Sequence, residues 1–408
     1  MIFRKKHNNK NINNDVYSIT AKEFGEMAPD ERQHWVPIPE KYEKIPMICK
    51  LSFVLLSISL LVYLISCISE GFADFFNLYI SSPLRVILAK ITNLMPFSFA
   101  ELIIILLPVI GFVLIWYLVK YRCNTQKSTL VSLVCILSAI STLLSCFILC
   151  FGIGYKCSTL DKKLGIKSSA VDRNELYDTA DYLVKRINEL APLIKYGTDN
   201  FSVIPYSFDQ MNEKLLSAYD TFSEKYPIII NFKSRLKPVM CSEIMSYTHI
   251  TGVYTFFTGE SNINVAFPDY TIPYTSAHEL AHQRGIARED EANMVAFLVC
   301  IESDDPYVQY SAYLNVYEYV SSALYSADKE LYREIRKKID PAVYSEQVAY
   351  SGFFKKYEKS VASQVSGAVN DVYLKTQGTK GKVSYGMVVD LTVAYFKSQN
   401  LIGNTEKK

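Results

Sequence analysis

An α-helical membrane anchor of three transmembrane helices, followed by a mainly helical α+β domain, is the fold class this sequence predicts. Three observations predict it. Half of the 408 residues are apolar and only 21% are charged. The apolar residues are gathered, because 51–69, 102–119 and 129–153 contain no charged residue at all. After Tyr155 the chain reads as a water-exposed domain, with 29 Lys and Arg against 31 Asp and Glu. That balance leaves no broad basic field for a polyanion and disfavours nucleic acid as a partner. The apolar mass excludes a disordered chain and a small disulfide-stapled scaffold.

Residues 1–48 form an N-terminal segment in which Pro37, Pro39 and Pro46 predict an extended approach to the first span. A helix crossing a hydrocarbon core of ~30 Å needs about 20 apolar residues. The runs at 51–69 and 129–153 meet that length, and Lys120, Tyr121 and Arg122 extend the middle run to the headgroups. The membrane region is therefore 49–155. A cleaved signal peptide does not fit, since the first run lies some fifty residues in and no small-residue cleavage site follows it. Lys and Arg crowd the start of the chain and the loop Lys120, Arg122, Lys127, whereas the segment from Glu70 to Glu101 holds only Arg85 and Lys90. The positive-inside bias then puts the N-terminus in the cytoplasm and, after three crossings, residues 156–408 outside it. The bilayer is thus a partner of the chain. The stretch Phe72 to Met95 reads either as a helix along the interface or as a plain loop. None of the nine cysteines has CxxC or zinc-knuckle spacing, and all read as structural.

In the domain, Leu176, Ala180, Leu183, Val184, Ile187 and Leu190 recur at helical spacing, and a second helix is expected from about Phe208 to Glu224. Ile228, Ile229 and Ile230 after Pro227 predict a short strand. Tyr254 to Thr258 and Ile263 to Phe267 predict a hairpin whose turn is Gly259 to Asn262. From Pro273 onward the pattern is helical, with breaks near Gly285, Asp304, Asp340 and Gly378 to Gly381.

Ser276 to Gly285 contains His278-Glu279-Leu280-Ala281-His282, an HExxH pattern. Residues i and i+4 share a helix face, so two neutral imidazoles reach one Zn²⁺ while the glutamate at i+1 reaches the attacking water as general base. The chain has only five histidines, and two of them stand here. A catalytic zinc also needs a third protein ligand and an open position. Gly285 takes the positive φ that ends the first helix, and a turn brings a second helix back antiparallel. Glu289 then faces His282 as third ligand, and Asn293 lies one turn on, opposite His278, as a group that orients it. Glu291 is the alternative ligand. It lies about 200° round the helix from Glu289, so both cannot bind one metal. Asp290 reads as a solvated first-turn carboxylate. Tyr385, Tyr274 and His249 are candidates to donate to a developing oxyanion, with Tyr385 chosen first.

HExxH followed by Glu289-Asp290-Glu291-Ala292-Asn293 resembles the gluzincin group of zinc peptidases, in which the glutamate of the second helix is the third ligand. More widely, the chain is similar to an uncharacterised family of bacterial multi-pass membrane proteins with an extracytoplasmic zincin-like domain. That similarity rests on the three spans, Thr258 to Asn264, His278 to Gly285, Glu289 to Asn293, and Asn370 to Lys375 before Ser384-Tyr385-Gly386. It implies a zincin-like domain and a reaction class, without a substrate. Arg288 stands where a metzincin has its last ligand, which argues against that class.

The expected function is a membrane-anchored zinc metallopeptidase acting on peptides or proteins outside the cytoplasm. Zinc would be held by His278, His282 and Glu289, with Glu279 as base. The hairpin could present an edge strand to an extended substrate. The alternative is a membrane sensor or assembly factor whose zincin fold binds without turnover.

Overall fold

The computed structural model describes residues 2–5, 18–32, 35–37, 45–122, 126–358, 360–379 and 387–403. Three helices are long and apolar enough to cross a membrane: Met47–Ile68, Phe99–Tyr121 and Ser128–Cys150. The first and third run side by side. Small residues allow the approach, with Ser59 and Ser66 buried on one helix and Ser138, Ser141 and Ser145 on the other. Ser59 Oγ donates to Leu55 O and Ser141 Oγ to Leu137 O, each at 2.8 Å, so the contact leaves these hydroxyls satisfied. The second span has none of its apolar window buried. All eight described cysteines are free thiols. Residues 2–37 contribute a small antiparallel sheet, with Ile2–Lys5 between Ser18–Thr20 and Trp35–Pro37. Pro37 therefore ends a strand, Pro39 lies outside the described residues, and Pro46 is extended at the start of the first span.

The segment between the first two spans is helical. Glu70–Phe76 and Ser82–Thr92 are joined by a π-helical turn, Asn77–Ser81. It docks against the domain through Arg85, whose side chain is completely buried. One guanidinium nitrogen donates to Cys150 O at 2.8 Å and to Asn77 Oδ1 at 2.9 Å, and the other to Ser82 Oγ at 2.7 Å and Arg284 O at 3.4 Å. Nearby, buried Lys237 donates to Thr92 O at 3.0 Å and to Met95 O. Arg85 thus joins the end of the third span to the domain. Arg85→Ala leaves these carbonyls without a donor in buried surroundings, at a cost of roughly 3–5 kcal/mol. The expected result is a melting temperature lowered by about 10 °C. A shift under about 2 °C in a thermal melt would refute the docking role.

The domain's helices begin where the sequence supplies caps. Asp172 with Glu175, and Ser207 with Gln210, close capping boxes on Arg173–Leu190 and Phe208–Lys225. Asp305 and Asp340 cap helices that open on Pro306 and Pro341. These helices, with Thr271–Gln283, Glu289–Ile301 and Val388–Ser398, enclose one core that includes Leu183, Leu215, Phe222, Phe297, Leu314 and Phe396.

The strands differ from expectation in two places. Ile228 to Ile230 form no strand; Ile228 lies in a turn with Pro227, and Ile229 is buried in the core. The hairpin is shifted, with strands Gly252–Thr255 and Glu260–Ile263, and Lys237–Pro238 pairs parallel to the latter. Glu260 and Asn262, which read as turn residues, are buried in the central strand. The reason lies in the second span. Glu260 accepts from Phe99 N at 3.0 Å and Ala100 N at 2.8 Å, while Ser98 Oγ donates to Asn262 Oδ1 at 2.6 Å. Polar residues in this strand thus satisfy the first turn of the second candidate span.

Candidate metal centre

Thr271–Gln283 carries the HExxH residues and is buried along nearly its whole length. It ends at Gly285, where φ is +100°, and Ile286 N closes back on Ala281 O at 3.1 Å. Glycine is required here twice, since a Cβ would also lie 2.3 Å from an Arg85 guanidinium nitrogen. Asn77 Nδ2 and Arg85, from the segment between the first two spans, hold the carbonyls of Gly285 and Arg284. Gly154, just past the third span, has no room for a Cβ against Ala287. The turn between the two helices is therefore clamped by span-proximal elements.

The return helix, Glu289–Ile301, begins with Glu289. Its Oε2 lies 3.2 Å from His278 Nε2 and 3.5 Å from His282 Nε2. The potential ligand atoms of His278, His282 and Glu289 all lie within 4.8 Å of one another. Ligands at ~2.0–2.2 Å from a tetrahedral Zn²⁺ stand about 3.3–3.5 Å apart, close to the two separations of Glu289 Oε2 from the imidazoles, so the donor set fits that ion. His282 Nδ1 is 2.7 Å from Ile286 O, which puts a proton on Nδ1 and turns Nε2 to the cluster, where its lone pair is free once the ring is neutral.

Burial acts first to lower the proton affinity of His282. The charge of Glu289 and its hydrogen bond outweigh that and push the pKa up to about 9. Burial likewise acts to raise Glu289, but the two imidazoles hold it well below the usual carboxylate range. Glu279 is raised by burial, partly offset by His278 and His282. Its Oε2 is buried without a hydrogen-bond partner, as is His278 Nδ1. Gly252 of the edge strand is pressed against Glu279, where a Cβ would meet Cγ at 2.7 Å.

The neighbouring residues divide differently from the sequence reading. Asn293 does not bond to His278, because its Nδ2 and His278 Nδ1 are both unpartnered. Its carbonyl instead accepts from Tyr274 OH at 3.0 Å. Asp290 is buried, not solvated, and burial pushes it up to about 6, helped by the charge of Glu291. Glu291 points away from the histidines. It accepts from Arg288 at 2.8 Å and Leu160 N at 3.0 Å, while Arg288 also holds the carbonyls of Tyr155 and Cys157. Among the oxyanion candidates, Tyr274 is committed to Asn293, His249 Nε2 lies 2.8 Å from Tyr357 O, and Tyr385 lies outside the described residues.

Residues that sequence reasoning missed surround the histidines. The Phe151 ring, one residue past the third span, is 5.6 Å from that of His282 and 5.5 Å from that of Tyr254. Tyr155 OH lies 3.1 Å from Tyr373 OH, and the Phe147 ring is 6.1 Å from that of Tyr373. The only sequence signal of Phe147, Phe151 and Tyr155 was their spacing, which continues a helical face beyond the span; Tyr254 and Tyr373 stood in segments already singled out, with no sign that they reach this site.

Residues 76–393, more than three quarters of the chain, match a family described as "Protein of unknown function (DUF3810)". No curated protein and no solved structure matches the chain.

Proposed function

Since the chain belongs to the DUF3810 family of proteins of unknown function, we propose from its own residues that it is a membrane-anchored zinc metallopeptidase with a zincin-like domain of gluzincin type. The observation that carries this reading is the convergence of His278, His282 and Glu289 beside the buried, unpartnered carboxylate oxygen of Glu279. When bound, zinc supplies a Lewis acid that brings the pKa of water to about 7 and polarises a carbonyl. Glu279 takes a proton from the attacking water and returns it to the leaving amine, and its raised proton affinity suits that role. Strand Gly252–Thr255 lies at the sheet edge and touches Glu279, so an extended peptide paired along it would run past the base. Tyr385 is the proposed oxyanion donor. The Lys and Arg distribution supports an extracytoplasmic domain acting on exposed peptides or proteins.

The test is a comparison of membranes carrying wild type with membranes carrying Glu279→Gln, scored for peptide termini that disappear in the variant. Identical sets of termini would defeat the reading. The metal is tested separately through its competition with protons. His282 must lose the proton it holds up to about 9, so apparent zinc affinity is expected to rise about tenfold per pH unit between about pH 6 and 8 and to level off above pH 9. Chelator competition across that range measures it. A flat profile would exclude His282 as a ligand.

A further inference from the structure

The helix Val361–Thr376 is amphipathic in the inverted sense. Val361, Val365, Val369 and Val372 recur at helical spacing and are 73%, 58%, 64% and 62% exposed. On the opposite side, Ser363, Ser366, Gly367 and Asn370 are half-buried and Leu374 is completely buried. A water-facing helix buries its apolar side; this one turns small and polar residues inward and valines outward. A valine stripe of this kind, kept exposed, marks a contact with something apolar.

The ends of the helix identify the occupant. At its C-terminal end, Tyr373 packs on Phe147 of the third span, and Lys156, just past that span, donates to Gln377 O at 3.0 Å. Beyond its N-terminal end, buried Tyr357 stacks edge-on against Tyr247 at 5.0 Å and bonds Glu243 at 2.9 Å. That contact leads to the short helix Ser242–Ser246, in which Ile244 is 70% exposed, and to Met240 just before it, which is 82% exposed. Met240 N and Cys241 N in turn donate to Glu101, in the first turn of the second span. The exposed apolar strip therefore starts at the domain-side end of one candidate span and finishes at that of another.

We propose that this strip, Met240 and Ile244 together with Val361 to Val372, is a membrane-interface surface, seated among the acyl chains and headgroups of the leaflet on the domain's side. An interfacial helix sinks its apolar face roughly 5–10 Å into that boundary. Phe151, one residue past the third span and with its ring 5.6 Å from that of His282, then puts the His278, His282 and Glu289 cluster near the bilayer surface. The inference does not depend on the peptidase reading, because a bilayer contact is read out whatever the metal centre does.

The test uses full-length protein in nanodiscs holding one copy each, in a Trp35→Phe, Trp116→Phe background that removes both native tryptophans. Val365→Trp and Val369→Trp serve as probes, and Glu334→Trp, on the exposed side of the domain, serves as the control. Phosphatidylcholine brominated near the top of its acyl chains is expected to cut probe emission about twofold or more and leave the control unchanged. Probes unaffected by bromolipid but quenched by acrylamide would show a water-exposed face and overturn the proposal. Probes protected from both in single-copy discs would show cover by the chain itself and overturn it equally. Two probe positions, each checked for wild-type melting, guard against a misfolded variant. If both tryptophan variants fail to fold, Val369→Cys carrying a bimane label, in a background whose native cysteines are replaced by Ser or Ala, gives the same readout in the same discs.

Discussion

Glu279→Gln is expected to abolish turnover while zinc stays at its wild-type stoichiometry. Gln keeps the shape of the side chain against Gly252 and can still donate or accept a hydrogen bond, but it cannot take a proton. Loss of a positioned general base removes roughly 10²–10⁴ in rate. The side chain is not among the three converging donors, so metal content is not expected to fall. Zinc analysis and cleavage assays on the same preparation check both halves. Wild-type biological activity in Glu279→Gln would instead favour the non-catalytic sensor or assembly factor. Loss of zinc would mean that the glutamate holds the site together and is not only its base.

Zinc is expected to be lost on replacing any one of His278, His282 or Glu289 by Ala, and kept on replacing Glu291. Groups that merely orient a ligand typically cost 10–100-fold in metal affinity when removed, so each ligand should cost more than about a hundredfold. Glu291→Ala instead removes the partner of Arg288 and the acceptor of Leu160 N, so it should lower stability with the metal retained. Zinc stoichiometry and a melting curve on each of the four proteins separate these effects. A Glu291→Ala protein without zinc, beside a Glu289→Ala protein that keeps it, would overturn the ligand set.

Much of this site was legible because its information is local. His278 and His282 share a face through helical spacing alone. The angle per residue excluded joint binding by Glu289 and Glu291 and left the choice to the helix phase, which the structure supplies by bringing Glu289 to both imidazoles while Glu291 turns to Arg288. Asn293 was not legible in the same way. Its side-chain amide nitrogen is buried without a partner while its backbone carbonyl is bonded to Tyr274, an arrangement that no spacing reveals. The hairpin register failed for a related reason. Glu260-Ser261-Asn262 has the local chemistry of a turn, and it is a buried strand because the second apolar helix, more than 150 residues earlier, needs its first amides capped. Ile228 to Ile230 had the propensity of a strand but no neighbouring edge to pair with, and Ile229 went into the core.

By itself, then, the sequence determined the three apolar helices, the helical character of the domain and the HExxH face, since each depends on period and composition within one element. Only the tertiary structure decided how those elements meet. It put buried Arg85, from a stretch that reads as interface or loop, beneath the turn between the two site helices. It also set the aromatic end of the third span against His282. The physical reason is that buried hydrogen-bond donors and close-packed glycines are satisfied by whatever the fold brings within about 3 Å, and sequence separation carries no record of that distance.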